Sequence, residues 1–235
     1  LINLALRFIS ITLLSTVESP LLYCTYNIFL RCINLVSKNV FTIRKTGGIP
    51  KQLTYYPTSD IPYDWTSSNN IVFATNRVLK GPEWDEQIYH VNANGGTPQR
   101  FITALGSMAS VSFDGNLVAF VKGACRISRE DYSGSAQRDV WIYNIKTGNY
   151  FQVTFSQKND HSPLWDAAGN LYYIGAESGR YNIYQQSINT DGSVKGASRK
   201  ITNQNNIISN VNRNIVTLSS LNGTNYLQDN FQLAS

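Results

Sequence analysis

Gly47-Gly48-Ile-Pro-Lys-Gln-Leu53-Thr54 returns as Gly95-Gly96-Thr-Pro-Gln-Arg-Phe101-Ile102 and as Thr147-Gly148-Asn-Tyr-Phe-Gln-Val153-Thr154. It begins again as Asp191-Gly192 leading to Lys200-Ile201-Thr202. Each copy is a glycine turn followed by a short run of strand-forming residues. Three of the copies lead into an aromatic-and-turn element: Tyr63-Asp64-Trp65 then Asn69-Asn70, Ser112-Phe113 then Asp114-Gly115, and Pro163-Leu164-Trp165 then Ala168-Gly169. An apolar strand follows, Ile71-Val72-Phe73, Val118-Ala119-Phe120 and Leu171-Tyr172-Tyr173-Ile174. Each unit closes on an Ile-Tyr pair: Ile88-Tyr89, Ile142-Tyr143 and Ile183-Tyr184.

Four elements recurring in one order, at a spacing of roughly 40 to 55 residues, mark a repeat of four-stranded blades. Helical repeats run shorter, and these units contain no 3.6-residue apolar period. Gly-Gly and Asp-Gly supply the positive φ of tight hairpins. Wholly apolar central strands suit sheets covered on both faces. The reading is an all-β protein, a β-propeller of four-stranded antiparallel blades spanning 39–205. Trp65, Phe113 and Trp165 are expected at equivalent places, each filling the wedge between neighbouring blades. Closed propellers need about four to eight blades, so three and a beginning predict an incomplete ring.

The glycine turns lead into strands and lack a following Lys-Ser/Thr, which excludes a phosphate loop. Composition fits the same reading. Of 235 residues only 15% are charged, and Asn, Ser, Thr, Gly and 14 tyrosines take their place. The net charge of +5 is spread without a run of Lys or Arg, so no nucleic-acid groove is indicated. Cys24, Cys32 and Cys125 form no Cys-x-x-Cys motif, so neither a zinc site nor a redox pair is expected.

The flanks are harder to read. Segment 1–38 is apolar but broken by Arg7, Glu18, Pro20 and Arg31, short of the roughly 20 residues a membrane helix needs. Ile9 to Leu14 could serve as a signal-peptide core, yet no small-residue cleavage site follows it. Membrane contact stays open. Segment 206–235 is Asn-rich and only weakly periodic, with a formal glycosylation sequon at Asn222-Gly223-Thr224. The chain opens on Leu1 and its one methionine is Met108, as expected of a fragment or processed product.

Gly-Gly…Gln-Leu-Thr, aromatic, Asp-Gly, apolar strand and Ile-Tyr together resemble the propeller repeats of the translocation protein TolB and of the tricorn protease. One stretch resembles the N-terminal propeller of tricorn-like serine peptidases more specifically. It is Lys122-Gly-Ala-Cys-Arg126-Ile-Ser-Arg129-Glu-Asp-Tyr132-Ser-Gly134-Ser-Ala-Gln-Arg138-Asp139-Val-Trp141, an insertion within one blade. The resemblance implies a non-catalytic propeller portion of such a peptidase, serving peptide gating or scaffolding. The alternative it leaves open is a TolB-like protein-interaction propeller of the cell envelope. It implies a peptide or protein partner, including a downstream peptidase domain, in bacterial cytoplasm or periplasm. An incomplete ring would expose blade edges and invite a homo-oligomer.

No catalytic residue is identified. His90 and His161 are read as solvent-facing or turn residues, with no triad geometry around them. Ser133 and Ser135 flank Gly134 in a loop without a strand-to-helix elbow. Asp60, Asp64, Asp160 and Asp166 are read as loop and turn caps rather than metal ligands. No cofactor or metal is implied. Arg126, Arg129, Tyr132 and Arg138 of the insertion are the candidate peptide or partner contacts, because Arg and Tyr are common binding anchors.

Overall fold

The computed structural model describes residues 9–10, 21–27, 38–44, 49–77 and 86–203; of 9–10 and 21–27 only the strand pairing is described. Gly47-Gly48, Cys32, Asn205, segment 206–235 and its sequon therefore lie outside the described residues. Sixteen strands make up the described structure. The first sheet holds β1 (Ile9–Ser10), β2 (Leu21–Asn27), β3 (Lys38–Arg44) and β4 (Lys51–Gln52). The second holds β5 (Asp60–Trp65), β6 (Asn70–Thr75), β7 (Gln87–Asn92) and β8 (Gln99–Leu105). The third holds β9 (Ser107–Val111), β10 (Leu117–Lys122), β11 (Asp139–Asn144) and β12 (Tyr150–Gln152). The fourth holds β13 (Asp160–Trp165), β14 (Asn170–Gly175), β15 (Asn182–Ile188) and β16 (Val194–Lys200). Every sheet is an antiparallel meander in chain order, which is the propeller blade.

The four sheets stack in a row through apolar interfaces, and among the described residues they do not close a ring. Val40 and Leu53 of the first sheet meet Ile71, Phe73 and Val91 of the second. Val72, Ala74 and Ile88 then meet Ala109, Val118 and Phe120 of the third. Ala119, Val140 and Ile142 meet Trp165, Leu171 and Tyr173 of the fourth. Central strands touch a neighbour on both faces, which is why their sequences are apolar throughout. No helix among the described residues is long and apolar enough to cross a membrane.

The Leu-Thr ending of the repeat has a physical role. The hydroxyls of Thr54, Thr154 and Thr202 accept from the amides of Val40, Val140 and Ile183, each at 2.9 Å. The residue before each threonine donates back: Leu53 N to Val40 O at 2.8 Å, Val153 N to Val140 O at 2.9 Å, Ile201 N to Ile183 O at 2.8 Å. This pair of bonds clamps the outermost strand to its neighbour just where the ladder ends. In the second sheet Ile102 holds the threonine's place and has no hydroxyl to offer. There β8 runs on to Leu105, which pairs with Gln87 past a bulge.

Two expectations are corrected. Phe113 does not fill an inter-blade wedge: it stands in the β9–β10 turn and is 58% exposed. Trp65 and Trp165 face Ile71 and Leu171, and the residue so paired in the third sheet is Val111, opposite Val118. That hairpin is one residue longer, which sets its aromatic out of line with the two tryptophans. Second, the counterpart of Tyr89 and Tyr184 is Trp141, not Tyr143, since these three pair with Phe73, Tyr173 and Phe120. A shift of two residues keeps the same face, so the apolar pattern is the same in either register. The N-terminal stretch, which the sequence leaves unassigned, holds β1 and β2 of the first sheet, although no blade pattern is legible there. Between Asn27 and Lys38 the sequence has no Gly, Pro or Asp to announce a turn.

Candidate partner-binding site at the insertion

Alternating strand directions bring the loops after the second and fourth strands of every sheet to one end of the stack. The insertion between β10 and β11 lies at this end, beside the 153–159 and 176–181 connections. Its neck is closed by the Cys125 amide donating to Ala136 O at 2.8 Å. Gly123, at φ +107°, packs so tightly on Gln137 O that any Cβ would clash at 1.9 Å. The tip carries two successive turns, Arg129 N to Arg126 O at 3.0 Å and Tyr132 N to Arg129 O at 3.3 Å.

The insertion reaches across to the fourth sheet and is tied there at several points. The Tyr181 hydroxyl donates to Ile127 O at 2.6 Å, and Arg180 pairs with Glu130 at 3.3 Å. Asn159 donates to Arg129 O at 2.5 Å and accepts from the Arg138 amide at 3.0 Å. Lys158 meets Asp131 at 3.1 Å, an exposed pair of small energetic weight. Ile127 packs against the buried Ile174, Tyr181 and Ile183. Such tethering holds the tip before any partner arrives.

Arg126 and Arg129 are exposed on this tip. The Arg129 guanidinium lies over the half-buried Tyr132 ring, 4.6 Å from its centre. Arg138 does not join them: its side chain turns into the neck, donating to Cys125 O and lying 3.5 Å from Ser107 Oγ. It positions the insertion and stands apart from the Arg126 and Arg129 side chains at the tip.

Both histidines depart from the sequence reading. His161 is 3% exposed inside β13, its Nδ1 2.9 Å from Ser162 Oγ and its ring edge-on to Tyr181. Burial, helped by the nearby Arg138 charge, lowers its pKa to about 3, so it stays neutral. His90 lies within β7, stacked on Phe101 at 5.1 Å, and burial lowers its pKa too. A period-two strand hides inward residues of any chemistry. Ser133 and Ser135 are exposed, and neither histidine's hydrogen bond reaches them.

Of the aspartates, Asp166 caps its turn as expected, accepting from Asn170 N at 2.8 Å. Asp64 instead joins two blades, accepting from Val111 N at 2.6 Å. Asp60 and Asp160 are buried at the starts of β5 and β13, not in turns. Asp60 pairs with Arg77 at 2.7 Å, and Asp160 accepts from Ser156 Oγ at 2.8 Å. Burial first, then the charges of Asp139 and Glu177, raises the Asp160 pKa to about 7. Sequence analysis leaves out Arg77 and reads Asp60 and Asp160 as turn caps, although a signal of their equivalence exists: Thr54, Asp60 and Trp65 recur as Thr154, Asp160 and Trp165, all 100 residues later. Among the described residues no group of three His, Cys, Asp or Glu is placed to hold a metal ion.

No curated protein matches the chain. Among solved structures it is similar to the tricorn protease, at 15% identity and a TM-score of 0.61, covering 79% of this chain and 18% of that one. TolB from Acinetobacter baumannii is similar at 13% identity and a TM-score of 0.54, covering 72% and 39%. An oligogalacturonate lyase from Vibrio parahaemolyticus follows at 12% identity and 0.55, covering 83% and 52%. The chain thus spans less than two thirds of each, and at these identities the likeness is one of fold. The family described as the tricorn protease N-terminal beta propeller domain matches residues 34–214, which takes in every strand from β3 to β16. On that match the chain belongs to the family of tricorn protease N-terminal β-propeller domains.

Proposed function

We propose that this chain is a non-catalytic propeller portion of a tricorn-like serine peptidase, and that it binds peptide or a partner domain through the insertion. The family match over 34–214 carries the reading. The tethered tip supports it, since Arg126, Arg129 and Tyr132 combine charge, planar donors and an aromatic face on a pre-arranged loop. In this role the propeller filters or scaffolds peptides and leaves bond cleavage to another domain.

The test is fluorescence anisotropy with labelled unstructured peptides on the whole chain, comparing wild type with Arg126→Ala/Arg129→Ala. The double variant is expected to weaken binding roughly tenfold with an unchanged melting temperature, as for loss of exposed anchors. Arg138→Ala is expected to weaken binding and lower the melting temperature together, because it loosens the neck. Peptide binding that survives the double variant would remove the insertion from the site. Turnover of the peptides that disappears in Ser133→Ala or Ser135→Ala would overturn the non-catalytic assignment.

A further inference from the structure

The second and fourth sheets share one register, with Asp60, Phe73 and Tyr89 at the positions of Asp160, Tyr173 and Tyr184, and they differ in the polar groups around that aspartate. In the second sheet the Arg77 guanidinium meets Asp60 at 2.7 Å and lies 5.2–5.3 Å from the ring centres of Tyr56, Phe73 and Tyr89. Its Nε also reaches Thr75 Oγ1 at 3.4 Å. A carboxylate and three rings thus form a cradle around a cation supplied by the chain itself.

In the fourth sheet the carboxylate and two of the rings remain. Asp160 stands for Asp60, and Tyr173 and Tyr184 stand for Phe73 and Tyr89, with ring centres 5.6 Å apart. The other three positions change: Tyr56 becomes Ser156, Thr75 becomes Gly175, and Arg77 becomes Glu177. The first two replacements remove volume, and the third removes the cation and puts an exposed acid in its place. A Cβ on Gly175 would meet Asp160 Oδ1 at 2.6 Å and the Tyr173 and Tyr184 rings at 3.2 Å, so all three groups close directly on this glycine in the present state. Asp160 is 1% exposed and its Oδ1 has no partner. Asp60 Oδ1 has none either, but Asp60 Oδ2 holds a guanidinium, whereas the Asp160 carboxylate is met by the hydroxyls of Ser156 and Thr154 and by no cation. The third sheet also seats a cation on the matching ring, with Lys122 Nζ 5.1 Å from the centre of Trp141. Of these three blades, the fourth alone has no basic residue at the place.

We infer that the fourth sheet binds an alkylguanidinium, the side chain of an arginine from outside the chain, between Asp160, Glu177, Tyr173 and Tyr184. The ligand takes the position that Arg77 holds in the second sheet. A guanidinium suits the site because it offers planar donors to a carboxylate and a weakly hydrated face to rings. Entry requires the exposed 177–179 turn to lean outward, since Asp160 is covered in this state. The site borders the insertion through Asn159 and Arg180 but uses neither Arg126 nor Arg129, and it does not depend on the peptidase reading.

The experiment is calorimetric titration of the whole chain with the capped tripeptide Ala-Arg-Ala, its citrulline counterpart and free arginine. The arginyl tripeptide is expected to bind at least about tenfold more tightly than the neutral citrulline form, as for loss of a charge-assisted bond. Glu177→Arg restores the chain's own cation, so it is expected to abolish that binding and raise the melting temperature by about 3 °C or more. Asp160→Asn is expected to abolish binding with no such rise. Free arginine binding as well as the tripeptide would identify a small-molecule site, and weaker binding a peptide site; both keep the inference. Equal binding of citrulline, or arginyl binding that survives both Glu177→Arg and Asp160→Asn, would overturn it.

Discussion

The second and fourth sheets share a skeleton and differ at the mouth. Both begin with a buried aspartate on the innermost strand, carry a tryptophan at its end, and lie behind a Thr clamp on the preceding sheet. Yet Asp60 is neutralised within its own sheet, whereas Asp160 is left with hydroxyls, two neighbouring acids and a neutral histidine. Packing positions are held alike while polar positions at the loop end diverge. Requirements of the fold account for the first kind of position, and the second kind is free to take up chemistry.

That contrast can be broken first at the tryptophans. Trp165 is 5% exposed, and its Nε1 donates across the interface to Ser110 O at 3.2 Å, while Trp65 is only half-buried. Trp165→Ala is expected to cost about 3–5 kcal/mol in denaturant melts, and Trp65→Ala clearly less. Equal losses would mean that the two interfaces are packed alike.

The pH dependence sharpens it next. Asp160 has a folded pKa of about 7 against an ordinary 3.8, so its contribution is present below 3.8 and lost as pH rises towards 7. His161, lowered from 6.5 to about 3, works the other way: its contribution is present above 6.5 and lost as pH falls towards 3. Between about 4 and 6.5 the two slopes oppose one another. Asp160→Asn is therefore expected to make stability climb with pH through that window, and His161→Phe to make it fall. Each profile is expected to move by at most about 3–4 kcal/mol across the window, in opposite directions, since each tenfold change in proton affinity is worth about 1.4 kcal/mol. Parallel pH profiles for the two variants would show that neither group carries the linkage.

The smallest effect tests the shared skeleton. Thr54→Val and Thr154→Val each leave a buried amide without its acceptor, at an expected cost of about 1–3 kcal/mol. The two losses should be similar and additive, as for distant sites. Unequal losses in thermal melts would show that the clamp matters differently in its two settings.

What the sequence disclosed follows the same division. The glycine turns, the apolar central strands and the Leu-Thr endings are local and periodic, so they can be read from one chain. The register in the third sheet could not, because one extra turn residue moved Phe113 out of line with Trp65 and Trp165. Arg126, Arg129 and Tyr132 were legible as a cluster by composition. Arg138 looked the same in sequence, and only the fold shows its side chain folded back on Cys125 O. The cradle of the fourth sheet depends on Asp160, Gly175 and Tyr184, which lie far apart in the chain and meet only once the sheet has formed.

The tethers of the insertion bear on how the chain meets proteases. Ser133, Gly134 and Ser135 stand exposed beyond the neck, with Glu130 and Asp131 anchored on one side and Arg138 on the other. A single cut there would sever the backbone without releasing either piece, because strands from both pieces share the third sheet. The nicked chain would travel as one particle under native conditions and separate only once denatured, so the loop offers a place to split the protein into two self-associating halves.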